Sequence, residues 1–230
     1  QSKQFCNLSE IVVRPRDTKA DLIRKARLAS ILGTFQSTLT DFGYLGKEWS
    51  DNTNEERLLG VSLTGQYDNE RVRDAKTLRA IRDAAIETNK DYAKRFGIPQ
   101  STSVTAVKPS GTVSQLVDAA SGIHARYSEY YIRRVRISST DPLFKLLRDA
   151  GVPYSPEVGQ QPETATTFVL EFPRKSPEGS VITDQLSAID QLEYWRTVKE
   201  NYTEHNPSCT IHVKDDEWLD VGAWVYRNWD

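Results

Sequence analysis

The segment KPSGTVSQL, Lys108 to Leu116, combines a lysine, a Pro-Ser-Gly turn and further hydroxyl residues. It follows TSVTAV, Thr102 to Val107, a β-branched run that predicts a strand, and the residues from Thr112 onward favour a helix start. A helix that begins at the carboxyl end of a strand presents backbone N–H groups and partial positive charge, and both attract anions. The segment therefore predicts a phosphate cradle, although it lacks the G-x-x-x-x-G-K-[ST] spacing of a P-loop.

Each residue type in this segment suits a phosphate. Gly111 lets the backbone approach closely, and Lys108 adds a point charge. Ser110, Thr112 and Ser114 can each donate a hydroxyl. A plainer alternative stays open, in which Ser110 or Thr112 only caps a helix.

The composition is that of an ordinary globular protein. Of the 230 residues, 38% are hydrophobic and 27% are charged, and the formal net charge is −2. Such a balance does not favour direct binding to DNA or to a membrane surface. No apolar run approaches the roughly 18 residues of a membrane span, and no secretory signal is recognisable. A cytoplasmic location is expected.

The cysteines and histidines predict neither a disulfide framework nor a metal site. Cys6 and Cys209 have no C-x-x-C spacing and are expected to be thiols. The three histidines, His124, His205 and His212, have no metal-ligand spacing.

The two ends predict a piece of a longer polypeptide. The chain contains no methionine, opens on a segment that leads directly into a strand, and closes on WVYRNWD within a helical pattern. We expect a single domain over residues 1–230, truncated at both ends.

Strand and helix patterns alternate along the chain, which predicts an α/β fold with a parallel or mixed sheet or a barrel. The predicted strands are FCNLSEIVV, Leu58 to Leu63, Thr102 to Val107, Tyr130 to Ser138, TATTFVLEFP and SCTIHV. The predicted helices are Thr18 to Tyr44, Asn69 to Phe96 with Gly97 as C-cap, Thr112 to Ala120, Asp141 to Ala150, Gln185 to Tyr202 and Asp215 to Trp229.

Several motifs together resemble one enzyme family. FCNL at the start, PSGTVS after the third strand and SGIH shortly beyond it occur in the order found in ribonucleotide reductases. ERLLGVSLTG and EHNPSCTIHVKDDEW are similar to that family's barrel strands and their flanks. The nearest branch is the class II, adenosylcobalamin-dependent type, in particular the monomeric ribonucleoside-triphosphate reductases. The resemblance covers most of the chain.

The resemblance implies a fold and a site. The chain would form the later part of a ten-stranded α/β barrel. The substrate's phosphates would bind at Pro109, Ser110, Gly111, Thr112, Val113 and Ser114. Cys6 would be one of two redox-active cysteines that reduce the ribose. Its own sequence context, without the resemblance, favours a small buried residue on a strand.

For other residues the resemblance favours less direct roles. Gly122, Ile123 and His124 would line the substrate pocket, with a structural rather than catalytic role for His124, because many reductases carry Glu there. Cys209 is expected to be a core residue. Alternation sends Arg133, Arg134 and Arg136 to opposite faces of a strand, so at least one should be solvated or salt-bridged. Packing roles are expected for the tryptophans of the last two helices: Trp195, Trp218, Trp224 and Trp229.

The implied cofactor and partners follow from the family. Adenosylcobalamin would generate a radical, with its contacts largely outside this chain. The partners would be a ribonucleotide, of which a triphosphate is favoured, a thioredoxin-like or dithiol reductant, and the rest of the reductase chain. The second redox cysteine, the radical cysteine and the general base would also lie outside, so the isolated chain should not turn over substrate. The alternative is a non-catalytic nucleotide-binding module, or a split piece that needs a partner chain.

Overall fold

The computed structural model describes residues 2–229, which form two compact units. The first unit contains the chain up to Arg126 and the chain from Val181 onward, and the second runs from Tyr127 to Ser180. The strands are β1 (Asn7–Val12), β2 (Leu59–Thr64), β3 (Thr105–Ala106), β4 (Tyr130–Ser138), β5 (Tyr154–Pro156) and β6 (Thr167–Lys175). The helices are α1 (Lys19–Gln36), α2 (Lys47–Glu56), α3 (Ala75–Phe96), α4 (Thr112–Leu116), α5 (Pro142–Asp149), α6 (Ala188–Asn201) and α7 (Trp218–Arg227).

The first unit is built on a parallel sheet in the order β1-β2-β3. Side chains alternate between the faces of a strand, so Leu59, Val61 and Leu63 share one face, and all three are fully buried. Helices α1, α3 and α6 supply the apolar residues that cover this face, among them Leu22, Ala26, Leu78, Ile81 and Val198. Hydrophobic burial on this face therefore holds the unit together.

Helix α1 begins where the sequence predicts but ends eight residues earlier than Tyr44. Thr18 and Asp21 form a capping box at its start. After Gln36 the carbonyl of Ser37 accepts a hydrogen bond from the guanidinium of Arg57 (2.5 Å), in place of the amide that a longer helix would offer. Helix α2 was not predicted, because it buries only Thr53 and so gives no apolar period. The prediction that Gly97 caps α3 in the left-handed conformation is confirmed.

The predicted strand SCTIHV is wrong. Residues 205–214 are irregular, and β3 is only two residues long. The carboxylate of Glu204 accepts from the amides of Val104 (2.7 Å) and Thr105 (3.3 Å), and Ser208 N–H donates to the carbonyl of Val107 (2.9 Å). The segment thus follows β3 through isolated contacts rather than a ladder of backbone hydrogen bonds.

The second unit is an antiparallel sheet in the order β4-β6-β5 together with helix α5. Strand β4 has the predicted bounds, and Phe144 of α5 stacks on Phe168 of β6 (ring centroids 4.5 Å apart). Arg134 and Arg136 lie on the exposed face of β4 and pair with Glu171 (2.9 Å) and Glu157 (2.5 Å). This confirms the expectation of salt-bridged arginines.

The α/β class is confirmed, whereas a barrel is not present in the described chain. Residues 2–229 hold six strands in two three-stranded sheets, and neither sheet closes on itself. The expectation of one domain over residues 1–230 stays a prediction. The packing role expected of the tryptophans fits Trp195 and Trp224, whose indole N–H groups bond to Pro207 and Glu193, but Trp218 and Trp229 are largely exposed.

Candidate functional site

The predicted cradle lies where the sequence puts it, directly after β3. Helix α4 begins at Thr112, Gly111 is its N-cap, and no side chain caps the helix. The alternative in which Ser110 or Thr112 merely caps α4 is therefore not what the structure has. The first amides of a helix lack partners within it and can receive an anion.

The cradle is held in place by hydrogen bonds from its buried hydroxyls. Ser110 Oγ donates to Glu10 Oε2 (2.8 Å), and the carbonyl of Ser110 accepts from the hydroxyls of Ser114 and Ser121. Ser110 is only 4% exposed, and Ser114 is fully buried. Both hydroxyls thus have acceptors within the protein, whereas the hydroxyl residue Thr112 is exposed.

The exposed part of the cradle consists of Pro109, Gly111, Thr112 and Val113. A Cβ at Gly111 would meet no atom within 4 Å, and its backbone is right-handed helical, so the fold itself does not require glycine there. What glycine provides is an uncovered backbone at the start of the helix. The phosphate role of Pro109 to Ser114 remains a prediction.

The cradle covers part of the sheet face opposite the helices. We call this the cradle face and define it by Leu8, Glu10, Gly60, Ser62 and Ala106, which share one side by strand register. The amide of Lys108 donates to Ser62 Oγ (3.1 Å). The cradle is therefore tied to both β1, through Glu10, and β2.

Cys6 lies on the same face as the cradle, just before β1. A Cβ at Gly60 would come within 3.0 Å of the Cys6 Sγ and 2.5 Å of a methyl of Leu8, which puts all three side-chain positions on one side. Cys6 is half-buried and is a free thiol. Gly60 thus leaves the space that the thiol occupies.

The electrostatics of the face are set by partial burial. Burial raises the pKa of the Cys6 thiol, and the positive charge of Lys108 acts in the opposite direction. Burial likewise raises the pKa of Glu10, against the effect of the hydrogen bond from Ser110. Burial therefore favours the neutral thiol at Cys6, whereas the charge of Lys108 favours the thiolate.

Beyond the cradle, the ring of His124 makes hydrogen bonds to the protein backbone. His124 Nδ1 contacts the carbonyl of Ser121 (2.8 Å), and its Nε2 accepts from the amide of Thr210 (2.8 Å). A carbonyl only accepts and an amide N–H only donates, so His124 is neutral with the proton on Nδ1. Burial also lowers its pKa.

Ile123, His124 and Cys209 line a cavity of about 20 Å³, which has room for about one water molecule. Gly122 is not among the residues that line it. Cys209 packs against the hydrophobic core, as expected. Whether Gly122, Ile123 and His124 also line a substrate pocket remains a prediction.

Sequence reasoning missed three features of the site. Glu10 and Gly60 were not singled out, although counting alternate residues from Cys6 would have put Glu10 on the same face. Arg126 was also missed: its guanidinium is buried and bonds to Asp68 (3.0 Å) and Asp118 (2.9 Å). Asp68 also accepts from the amide of Ala120 (2.8 Å), so this cluster fixes the chain that leaves the cradle.

Comparison with known proteins agrees with the resemblance read from the sequence. No family model matches the chain. The adenosylcobalamin-dependent ribonucleoside-triphosphate reductase of Lactobacillus gasseri is 32% identical over 156 residues, which is 66% of this chain and 20% of that protein. The probable adenosylcobalamin-dependent ribonucleoside-triphosphate reductase of Dictyostelium discoideum is 28% identical over 224 residues, 92% of this chain and 27% of that protein.

A solved structure of a B12-dependent, class II ribonucleotide reductase has the same fold over this region. It superposes with a TM-score of 0.76 at 23% identity, over 97% of this chain and 35% of that one. The chain is thus similar in sequence to part of these curated reductases, and it spans 20% and 27% of the length of the two.

Proposed function

We propose that this chain is part of the catalytic barrel of an adenosylcobalamin-dependent ribonucleoside-triphosphate reductase. The observation that carries the proposal is the shared sheet face: the cradle lies at the Glu10 end and Cys6 at the other. Glu10 is four residues beyond Cys6 along an extended backbone, which corresponds to about 13 Å at about 3.3 Å per residue. A nucleotide lying along this face would reach the cradle with its phosphates and Cys6 with its ribose.

In this proposal the cradle residues 109–114 hold the phosphates through the amides that start α4 and through the hydroxyl of Thr112. Cys6 and a second thiol outside the chain become a disulfide and supply two electrons and two hydrogens. The 2′ hydroxyl leaves as water, and hydrogen takes its place on carbon 2′. A thioredoxin-like or dithiol reductant then restores the pair by thiol–disulfide exchange.

The described residues alone do not fit adenosylcobalamin. The groove along the free edge of β1 has a volume of about 600 Å³, in the range of sites for drug-sized ligands, and a corrin with its two nucleoside groups is larger. The further strands of a ten-stranded barrel, and the cofactor contacts, would belong to the rest of the reductase polypeptide. No step in this proposal is therefore routed through the cofactor.

Two further points stay within the proposal. The substrate is a ribonucleoside triphosphate, as in the names of the curated relatives. A cytoplasmic location also remains a prediction; among the described residues no helix has the length and apolar character to cross a membrane.

The test is the activity of the reductase polypeptide that contains this chain, supplied with adenosylcobalamin and a dithiol. The expected result is conversion of a ribonucleoside triphosphate to its 2′-deoxy form, with Cys6→Ser reducing turnover to background. Cys209→Ser is the matched control and should stay active, because Cys209 packs against the core. Full activity of Cys6→Ser would overturn the redox assignment. Nucleotide binding without any turnover would support the non-catalytic alternative instead.

A further inference from the structure

Glu10 connects the strand that follows Cys6 to the cradle. Its side chain lies on the cradle face, and its Oε2 accepts the hydroxyl of Ser110 at 2.8 Å, across a sequence separation of 100 residues. Glu10 is half-buried and Ser110 is almost fully buried. The bond therefore joins two segments that meet only in the folded chain.

Ser110 holds the cradle in place through its hydrogen bonds. Its carbonyl accepts from the hydroxyl of Ser114, inside α4, and from that of Ser121 (3.0 Å), in the segment beyond α4. A shift of Ser110 would therefore move both the first turn of α4 and the chain that leaves it. Glu10 is the group that fixes Ser110 to β1.

Glu10 is not suited to bind phosphate itself. A carboxylate repels a phosphate, and the Ser110 hydroxyl that it accepts is no longer free to donate to a ligand. Burial raises the pKa of Glu10, so a charge at this place is costly. The carboxyl group thus acts through the position of Ser110 and not through contact with the substrate.

We infer that Glu10 is a positioning residue that keeps the phosphate cradle in register with the strand next to Cys6. The inference rests on the proposed function. It requires an acceptor oxygen at residue 10, and it does not require a charge there.

The test compares Glu10→Ala, Glu10→Gln, Ser110→Ala and the double alanine variant in the reductase polypeptide. Titration with a ribonucleoside triphosphate gives the Kd, and turnover gives kcat and KM. We expect Glu10→Ala to weaken nucleotide binding about tenfold. Ser110→Ala should do the same, and the double variant should add little, because both remove one link. Glu10→Gln should bind nucleotide as well as wild type or more tightly. Its amide oxygen can accept the hydrogen bond from the Ser110 hydroxyl, and the repulsion between a carboxylate and the phosphates is gone.

Glu171→Ala is the matched control, because that carboxylate bonds an exposed arginine in the second unit. The inference is overturned if Glu10→Gln binds as weakly as Glu10→Ala, which would mean that the charge is needed. It is also overturned if neither Glu10→Ala nor Ser110→Ala changes the Kd. A loss of kcat with a flattened pH profile in Glu10→Gln would contradict it too, by indicating proton transfer. Wild-type protein that neither binds nor reduces nucleotide would overturn the proposed function, and this inference with it.

Discussion

The two faces of the parallel sheet in the first unit carry different kinds of residue. On the helix-covered face, Leu59, Val61 and Leu63 are fully buried by apolar side chains. The cradle face carries Glu10, Gly60 and Ser62 beside Cys6, and Leu8 remains 51% exposed. One sheet thus separates the residues that hold the fold from those that present chemistry, a division that substitutions on each face can test.

The largest effect on stability is expected from breaking the buried ion pair that fixes the chain leaving the cradle. Arg126→Ala removes the cation that neutralises Asp68 in the protein interior. Breaking a buried pair on one side costs about 3–5 kcal/mol, because the partner stays buried and unpaired. Urea unfolding of Arg126→Ala and wild type measures this loss of stability. Arg134→Ala, from an exposed pair with Glu171, should cost at most about 1 kcal/mol. An equal loss of stability in the two variants would mean that the buried pair contributes no more than the exposed one.

On the covered face, Leu63→Ala should lower the free energy of unfolding by about 2–5 kcal/mol, since it leaves a cavity in the core. The matched change on the cradle face, Leu8→Ala, should cost much less because half of that side chain is already in water. Urea denaturation of the two variants side by side tests the comparison. A cost for Leu8→Ala as large as for Leu63→Ala would mean that the cradle face also serves as core.

Gly60→Ala tests the space that the thiol occupies. The new Cβ would press on Leu8 and on the Cys6 Sγ, and overpacking of this kind costs about 1–3 kcal/mol, here at the lower end because Leu8 can rotate into water. We also expect a changed rate of alkylation at Cys6, measured by mass spectrometry. An unchanged rate and unchanged stability would show that Gly60 does not shape the thiol site.

Gly111→Val tests the cradle with almost no effect on stability. Its Cβ would meet no atom within 4 Å, so the free energy of unfolding measured in urea should stay within about 0.5 kcal/mol of wild type. Nucleotide affinity should fall, because the side chain would cover the amides that start α4. Calorimetric titration with a ribonucleoside triphosphate provides the measurement, and unchanged affinity would count against the cradle.

The smallest effect concerns pH and His124. Burial lowers its folded pKa below the value near 6.5 of the unfolded chain, so the unfolded state binds more protons between the two values. The contribution to stability is complete above about pH 6.5 and is lost as the pH falls through the folded pKa. The free energy of unfolding, measured from pH 7 to pH 5, should therefore fall less steeply in His124→Gln than in wild type. Equal slopes would contradict the neutral His124–Thr210 contact.

The sequence predicted the parts of the molecule that depend on local pattern. Local strand patterns predicted β1, β2 and β4, and a glycine C-cap predicted the end of α3 at Gly97. The order of strand, turn and helix predicted the cradle. Helix α2 was not predicted, because its surface is polar on almost every side.

What could not be predicted depends on contacts between distant residues. The bonds from Glu10 to Ser110 and from Arg126 to Asp68 join segments 100 and 58 residues apart. The sequence SCTIHV has strand propensity, but its amides donate to three separate acceptors and the segment follows an irregular path. The acceptors are the Val107 carbonyl, His124 Nε2 and Gln191 Oε1. Tertiary contacts overrode local preference there.

The most direct test of the central claim is the protection of Cys6 from alkylation by a bound nucleotide, with Cys209 as the internal reference. Both thiols are alkylated with iodoacetamide, with and without a saturating ribonucleoside triphosphate, and each rate is followed by mass spectrometry. The account predicts that nucleotide slows the labelling of Cys6 more strongly than that of Cys209. An unchanged rate at Cys6 while nucleotide is shown to be bound would contradict a shared face for cradle and thiol.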